Sequence, residues 1–279
     1  MFRGSNGPTS QLGPALVGRS DYTFGRLGPV WLAGALALVL AGVGGGLTGS
    51  IAGLASIVTY PALLAIGLPP VSANVTNTVS LVFATTGAVS ASRPELRGQG
   101  ATLRRLVAAA LVGGAAGGAL LLLTPADAFE RVVPWLVALG SVAMLARRRI
   151  EQAPEQRARH DGPAVIAAVG VIRVYAGYFG AGAGVMVLAL LLHATDESMP
   201  RANAAKNVVL GVANGVAAVA FALFGPVRWS AVVPFGIGLF IGGRLGPVIV
   251  RRAPATGLRV IIALAGLGLA VKLGLDAYR

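Results

Sequence analysis

Long apolar runs alternate with short polar links along most of this chain. The runs cover residues 29–48, 52–66, 71–91, 103–123, 130–147, 163–179, 182–194, 202–224, 230–250 and 256–275. A helix needs roughly 20 apolar residues to cross the hydrocarbon core of a bilayer, and several runs have that length. The pattern therefore predicts an all-α polytopic membrane protein with about ten membrane segments, some of them short or broken.

The sequence also resembles itself at a fixed distance. After a shift of 129 residues, Gly53 meets Gly182 and Asn74 meets Asn203 in one ungapped register. Five segments in each copy is an odd number, so the second copy must be inverted in the membrane relative to the first. Inverted repeats are a common plan of secondary transporters, which hold the substrate near the midplane at the repeat interface. The predicted parts are a flexible tail at 1–28, a first membrane repeat at 29–147, a cytoplasmic link at 148–162 and a second membrane repeat at 163–279.

Composition supports a membrane protein and excludes several other classes. Charged residues make up 12% of the chain, against about 25% in soluble domains. The net charge of +13 raises the question of nucleic acid, but the basic residues lie in links between apolar runs rather than on one face with aromatics. We therefore predict no nucleic-acid partner. The chain has no cysteine, which excludes disulfides, thiol catalysis and zinc–thiolate sites.

The arginines indicate an orientation. They cluster between the third and fourth, the fifth and sixth, and the ninth and tenth segments, whereas 124–131 and 225–229 carry few. The positive-inside rule places arginine-rich links in the cytoplasm, which fits ten crossings with both termini outside. A re-entrant or broken first pair of segments would instead place the N-terminus inside. Residues 1–28 lack a signal-peptide core, so we expect the first segment to act as an uncleaved insertion signal for the inner membrane.

Two glycine-rich stretches occupy matching positions in the two halves, from Gly44 to Gly53 and from Gly177 to Gly184. Glycine-interrupted segments at corresponding positions point to the binding site of a transporter. A broken backbone leaves free N–H groups that can hold an anion. Close packing of helices through small residues is the alternative interpretation.

Asparagines gather at the starts of the third and eighth segments. Asn74 and Asn77 share one helix face, and Asn203 and Asn207 share another in the second half. We interpret them as part of an oxyanion cage, with interhelical hydrogen bonding as the alternative. The predicted donors are the side chains of Asn74, Thr76, Asn77, Thr78, Asn203, Lys206 and Asn207, and backbone N–H groups near Gly53 and Gly182.

Cations, but no carboxylates, fall well inside the apolar segments. Arg173, Lys206, Arg244 and His193 lie in or near them, and no Asp or Glu lies deep inside one. A charge at the membrane centre costs at least ~2.5–3.5 kcal/mol, so an anionic substrate would account for these cations. Snorkelling of Arg173 and Arg244 to the segment ends is the alternative. Without a carboxylate pair, a phosphate loop or a metal motif, we predict no enzyme activity, no cofactor and no metal.

The order of these motifs resembles the sulfite exporter TauE/SafE family, also called toluene sulfonate uptake permeases. The resemblance rests on Pro61–Pro70, Ala73–Thr78, Gly177–Gly184, Arg201–Asn203, Lys206–Asn207, Gly242–Gly246 and Leu258–Arg259, within residues 30–275. It implies a transporter of sulfite, an organosulfonate or a related sulfur-containing or carboxylate anion. The second half departs from the first in carrying Leu190 where the first has Pro61.

We therefore expect a secondary transporter working by alternating access, with a small anion and the lipid bilayer as partners. An anion channel and a membrane assembly subunit without transport remain as alternatives. The sequence leaves open the substrate, the direction, the coupling ion, and whether the protein forms a homodimer.

Overall fold

The computed structural model describes residues 29–151, 163–195, 197–251, 271 and 273–275. The described residues form helices and contain no strand, which confirms the all-helical prediction for them. The helices are α1 (Pro29–Ala52), α2 (Ala55–Ala65), α3 (Pro70–Ala91), α4 (Arg93–Leu96), α5 (Gly100–Leu123), α6 (Ala126–Glu151), α7 (Pro163–Tyr178), α8 (Ala183–Ala194), α9 (Met199–Phe224) and α10 (Trp229–Val250).

Nine of the ten predicted segments coincide with one helix each. The tenth segment, the tail at 1–28 and most of the predicted link lie outside the described residues, and α6 continues to Glu151 within that link. Four of the described helices are long and apolar enough to cross a membrane: Leu32–Ala52, Gly100–Leu123, Met199–Phe224 and Trp229–Val250. The helices α2, α7 and α8 are apolar but shorter, with 11, 16 and 12 residues.

The helix breaks are narrower than the glycine-rich stretches predicted. Gly44 and its two glycine neighbours lie inside α1, and the chain breaks only at Gly53 and Leu54, where Gly53 has φ of 77°. In the second half Gly177 still belongs to α7, and the break is marked by Gly180 and Gly182 with φ of 80° and 74°. Some glycines within α1 allow another helix to pack closely. A Cβ at Gly42 would lie 2.6 Å from the carbonyl oxygen of Phe235 in α10, so only glycine fits at this contact.

Each break turns the chain back on itself. Gly45 lies against Thr59 and Gly49 against Ala55, so α1 and α2 form an antiparallel hairpin. Gly42 of α1 lies against Phe235 of α10, and Gly46 lies against Leu239, four residues further along both helices. The two helices therefore run parallel. The first hairpin therefore opens at the end of the molecule where α3 and α10 begin.

The second hairpin opens at the other end. Gly113 of α5 lies against Gly170, and Gly117 lies against Val174, so α7 runs parallel to α5. The helix α8 then returns to the start of α9. The two hairpin tips meet where Gly53 lies against Gly184, with 2.3 Å between a Cβ at Gly53 and the carbonyl carbon of Gly184.

The two ends of the molecule differ in charge. One end holds the finish of α3 and α10 and the start of α5, α7 and α9, and it carries Arg93, Arg97, Arg104, Arg105 and Arg251. We call it the arginine-rich end. The opposite end holds the start of α3, α6 and α10 and the finish of α5 and α9.

Helix packing divides most of the described chain into two bundles. In the first bundle, α10 packs along α1 and α3, and α2 packs on α1 and α3. In the second bundle, α5 packs along α7 and α9, and α8 packs on α7 and α9. The bundles meet mainly where α3 crosses α9, and α6 packs on α8 and α3. Each bundle thus contains helices from both sequence halves, because α10 joins the first and α5 the second.

Candidate functional site

A small cavity lies at the interface of the two bundles. Its volume is about 40 Å³, enough for two or three waters or a compact ion. The first bundle lines it with Gly49, Ser50, Gly53, Ala55, Ser56, Thr78, Leu81, Ala84, Thr85 and Ala88. The second bundle lines it with Arg173, Ala176, Phe179, Gly180, Ala183, Asn207, Leu210 and Asn214.

Arg173 is the one charged side chain in the described lining of the cavity. It is fully buried, with 0% of its surface exposed. None of its three guanidinium nitrogens has a hydrogen-bond partner among the residues that the structure describes. A buried charge without a partner is costly, whereas an Arg paired with an anion can bind two of its oxygens at once. The geometry of this side chain therefore suits an anion in the cavity.

Polar side chains of α3 and α9 add to this lining in repeat-related pairs. Thr78 of α3 matches Asn207 of α9 in the 129-residue register, and Thr85 matches Asn214. The Asn207 Nδ2 group is buried and has no hydrogen-bond partner among the described residues. Of the hydroxyl groups, those of Thr78 and Thr85 donate to backbone carbonyls of their own helix. Arg173 and Asn207, the lining side chains whose nitrogens have no partner among the described residues, both belong to the second bundle.

Two short helices begin at the cavity. The helix α2 starts at Ala55 and α8 starts at Ala183, and both residues line the cavity. A helix N-terminus carries about half a positive charge, although the N–H groups of Ile57, Ala183 and Val185 here already donate to the carbonyls of the preceding turns. Together with the Arg173 guanidinium, these two N-termini give the cavity a positive field from both bundles.

The structure places three of the predicted site residues at the cavity: Gly53, Thr78 and Asn207. Asn74 lies one turn before the lining residue Thr78, Lys206 lies next to the lining residue Asn207, and both donate to backbone carbonyls. Asn74 Nδ2 donates to the carbonyl oxygen of Tyr178 at 2.8 Å. Lys206 Nζ, fully buried, donates to the carbonyl oxygens of Gly49 and Ser50 at 3.1 and 3.0 Å.

The other predicted site residues lie outside the lining of this cavity. Asn77 Nδ2 donates to the Ser56 hydroxyl at 3.4 Å, and the Thr76 hydroxyl accepts from the backbone N–H of Arg228 at 2.9 Å. Asn203 is 1% exposed. Gly182 lies against Gly140 of α6. Asn77 therefore reaches the site only through Ser56.

The predicted set lacked several residues that line the cavity: Arg173, Ser50, Ser56, Thr85 and Asn214. The sequence contained a signal for three of them. Arg173 is a cation within an apolar segment, and Thr85 and Asn214 are repeat mates two turns along the same helix face from Thr78 and Asn207, at a spacing of seven residues. Snorkelling, the alternative for Arg173, does not apply because its side chain is fully buried. It fits Arg244, which is exposed and donates to the Ser90 hydroxyl.

Metal binding and histidine chemistry have little support in the part of the chain that the structure describes. That part holds no group of three His, Asp or Glu side chains able to bind a metal ion. His193 is exposed at the end of α8. The cavity therefore offers hydrogen-bond donors and positive charge, and its described lining includes no carboxylate.

The chain is similar to a family of known membrane proteins. A family model described as "Sulfite exporter TauE/SafE" matches residues 38–273. The "Probable membrane transporter protein YfcA" of Escherichia coli K12 is 26% identical over 236 residues, which cover 84% of this chain and 87% of that protein. The "Probable membrane transporter protein ORF9" of Sinorhizobium sp. is 28% identical over 239 residues, with 83% and 88% covered. A "Probable membrane transporter protein" of Haemophilus influenzae is 26% identical over 233 residues, with 81% and 89% covered. No solved structure matches.

Proposed function

The chain belongs to the sulfite exporter TauE/SafE family of membrane transporters, and from that premise we propose that it is a secondary transporter of a small anion. The substrate is sulfite, an organosulfonate or a related sulfur-containing or carboxylate anion. It crosses the cytoplasmic membrane by alternating access. The protein itself is a multi-pass protein of the inner membrane, and its partners are the anion and the lipid bilayer.

The observation that carries this proposal is the guanidinium of Arg173, which has no partner among the described residues. It lies fully buried in a cavity between two bundles, with the free Asn207 amide and two helix N-termini at the same cavity. An anion would pair this charge and make charge-assisted hydrogen bonds to both side chains, each typically worth about 1.5–3 kcal/mol. A packing role alone would leave the charge without compensation.

The helix packing supports an inverted arrangement of two repeats. When the halves are exchanged in the 129-residue register, the α1–α10 contact becomes the α7–α5 contact, and α3–α10 becomes α9–α5. The two hairpins also open at opposite ends of the molecule. Both features are expected if the second repeat is inverted in the membrane, which is a frequent architecture of secondary transporters.

Ligand binding is tested first by thermal unfolding of the purified protein with sulfite, sulfate, thiosulfate, sulfoacetate, taurine and short carboxylates. A ligand that binds the folded state raises Tm by mass action. We expect at least one of these anions to do so. The best ligand then enters flux assays in proteoliposomes, where saturation and counterflow indicate a transporter and their absence indicates a channel. If no anion shifts Tm and none is transported, the proposal is wrong.

The site itself is tested with Arg173→Gln, using Arg244→Gln as a matched control. We expect Arg173→Gln to abolish the ligand-induced rise in Tm and to leave the ligand-free Tm unchanged or higher, because it removes an unpaired buried charge. The Arg244→Gln variant loses an exposed arginine of α10 and should keep the ligand response. A normal ligand response in folded Arg173→Gln would contradict the proposed site.

A further inference from the structure

Two hydrogen-bonded contacts join the bundles on either side of the cavity. At one, Asn74 of α3 binds the carbonyl oxygen of Tyr178, the last residue of α7. At the other, Lys206 of α9 binds the carbonyl oxygens of Gly49 and Ser50 in the last turn of α1. Each contact crosses the bundle interface, because α1 and α3 belong to the first bundle and α7 and α9 to the second.

The accepting groups of the two contacts are related by the internal repeat, whereas the donors are not, because Asn74 matches Asn203 and Lys206 matches Asn77. Tyr178 is the residue that matches Gly49 in the 129-residue register. In both places, a polar side chain near the start of a long helix binds the C-terminal carbonyl groups of a hairpin helix in the other bundle. These carbonyls lie at the negative end of their helix, where an amide or ammonium donor stabilises them, and the Gly49 carbonyl also accepts from the backbone N–H of Gly53 at 2.8 Å.

The contacts lie at opposite ends of the cavity. Asn74 is four residues into α3, so it lies about 6 Å from the end where that helix begins. Lys206 is seven residues into α9, about 10 Å from the arginine-rich end. The lining residues of α3 and α9 are further along each helix, at 78–88 and 207–214. The cavity is therefore bounded by one contact towards each end of the molecule.

We propose that these contacts are the two opposed gates of the transport cycle, and that the bodies that move are the two interleaved bundles rather than the two sequence halves. This inference rests on the proposed alternating access. Separation of Lys206 from Gly49 and Ser50 opens the cavity to the arginine-rich end, which faces the cytoplasm. Separation of Asn74 from Tyr178 opens it to the outside. Asn74 and Lys206 are positioning residues, and the anion contacts Arg173 and Asn207.

The arrangement explains why both gates can operate on one binding site. All lining residues of α1, α2 and α3 lie on one side of the interface, and all those of α7, α8 and α9 lie on the other. The two lining side chains whose nitrogens have no partner among the described residues, Arg173 and Asn207, both belong to the second bundle. The anion therefore stays bound to the second bundle while the first bundle moves across it.

The test uses a reporter cysteine, which is unambiguous because the chain has none of its own. Ala84→Cys places a thiol in the cavity lining on α3, and Ala84 is apolar and 5% exposed. A membrane-impermeant maleimide is added to right-side-out or inside-out membrane vesicles, and the labelling rate from each side is measured in the absence of anion.

Removal of the two gates should change labelling on opposite sides. Lys206→Met should raise labelling from the cytoplasmic side by roughly tenfold to a hundredfold, since a hydrogen bond from a charged donor is lost. Asn74→Leu should raise labelling from the outer side by roughly twofold to tenfold, because its amide is neutral. A general loss of packing would instead raise labelling from both sides or lower the yield of folded protein.

Two control variants remove similar groups without crossing the interface. Asn77→Leu removes a buried amide three residues from Asn74, and Asn77 binds Ser56 within the first bundle. Arg244→Met removes a cation whose hydrogen bond to Ser90 also lies within that bundle. Neither should change the side from which the reporter is labelled. If Lys206→Met fails to fold, Lys206→Gln is measured in its place.

Failure of the inference is distinguishable from failure of the proposed function. If Lys206 and Asn74 variants change labelling on the same side, or on neither, the gate assignment is wrong even when the unmodified protein transports the anion. If labelling shifts as expected but the unmodified protein neither binds nor transports any tested anion, the gates stand and the proposed function is wrong.

Discussion

At the scale of single residues, Gly53 sets how closely the two hairpin tips approach. A Cβ at this position would lie 2.3 Å from the carbonyl carbon of Gly184, and the φ of 77° is strained for any other residue. A Cβ at Gly44, nine residues earlier in α1, would meet no atom within 4 Å among the described residues. Substitutions at the two positions therefore compare a glycine at the contact between the hairpin tips with a glycine inside a helix that has space for a side chain.

We predict that Gly53→Ala lowers Tm by more than about 5 °C or prevents folding, because clash and strain each cost about 1–3 kcal/mol or more. Gly44→Ala should leave Tm unchanged or raise it, since alanine favours a helix by up to about 1 kcal/mol over glycine. Thermal unfolding in detergent measures both. Equal Tm values for the two variants would show that the tips do not pack as described.

Asn207 provides a second test at this scale. Its Nδ2 group lines the cavity without a partner among the described residues, whereas Asn203, one turn earlier, is equally buried but lies outside the lining. We expect Asn207→Ala to weaken binding of the best anion by roughly 10- to 100-fold, the value of one hydrogen bond to a charged group. Asn203→Ala should change affinity by less than about twofold. Titration calorimetry would contradict the assignment if Asn203→Ala gave the larger loss.

Residue identity alone could predict only part of this site. The paired asparagines pointed to α3 and α9, and Asn207 and Thr78 do line the cavity. Asn74 and Lys206, which were predicted to bind the anion, donate to helix carbonyls in this structure. A donor near a helix start satisfies an anion or a carbonyl equally well, so the choice depends on which backbone the fold brings within about 3 Å. The same holds for Arg173, whose burial depends on neighbours that the sequence does not specify.

At the scale of elements, hydrophobic run length predicted the helices well. Nine runs coincide with helices because a stretch of apolar residues in a membrane must satisfy its own backbone, which a helix does. Glycine content misled at α1, where Gly44 lies within an unbroken helix. Glycine either breaks a helix or lets another helix approach, and only the partner, here α10, decides which of the two occurs.

An ion pair joins the link between α3 and α5 to the end of α10. Arg251 donates through Nε and Nη2 to the two carboxylate oxygens of Glu95, at 2.6 and 2.9 Å. The side-chain hydrogen bonds from Arg251 lower the pKa of Glu95. A carboxyl with a lowered pKa in the folded state stabilises the protein above its unfolded pKa of about 4.3, and this stabilisation is lost as the pH falls through the folded-state pKa.

We therefore predict that Glu95→Gln lowers Tm at pH 7 by about 1–3 °C, because a partly exposed pair contributes at most about 1 kcal/mol. The deficit should shrink below about pH 4 as Glu95 of the parent protein becomes protonated. A double-mutant cycle with Arg251→Gln isolates the pair, since the second substitution should cost little once Glu95 is absent. A deficit that stays constant between about pH 7 and pH 3.5 would exclude the ion pair as its cause.

At the scale of the whole molecule, the repeat in the sequence and the packing of the helices divide the chain differently. The repeat register separates residues before and after the link at 148–162, whereas α10 packs with α1 and α3, and α5 packs with α7 and α9. The sequence could not predict this exchange, because a repeat register records similarity and carries no information on which helices pack together. The cavity follows the bundles, so its position at their interface could be found only from the structure.

Orientation in the membrane is the remaining property at this scale, and arginine content predicts it. The arginine-rich end should face the cytoplasm. The α1–α2 hairpin opens at the opposite end and the α7–α8 hairpin at the arginine-rich end. The loops that follow the two hairpins should therefore lie on opposite sides of the membrane, although they occupy matching positions in the two repeats.

Single cysteines in the loops test this orientation and the inversion together. Ile66→Cys after α2 and Ala126→Cys at the start of α6 should react with an impermeant maleimide from the outer side, and His193→Cys at the end of α8 and Ala101→Cys at the start of α5 from the cytoplasmic side. All four positions are exposed in the fold. Ala126 and Ala101 report the orientation of the molecule, and Ile66 and His193 report the hairpins. Reversal of all four would mean that the arginines do not set the orientation, while the inversion would stand. Labelling of Ile66→Cys and His193→Cys from the same side would show that the hairpins enter from one face, and the inverted arrangement would then be wrong.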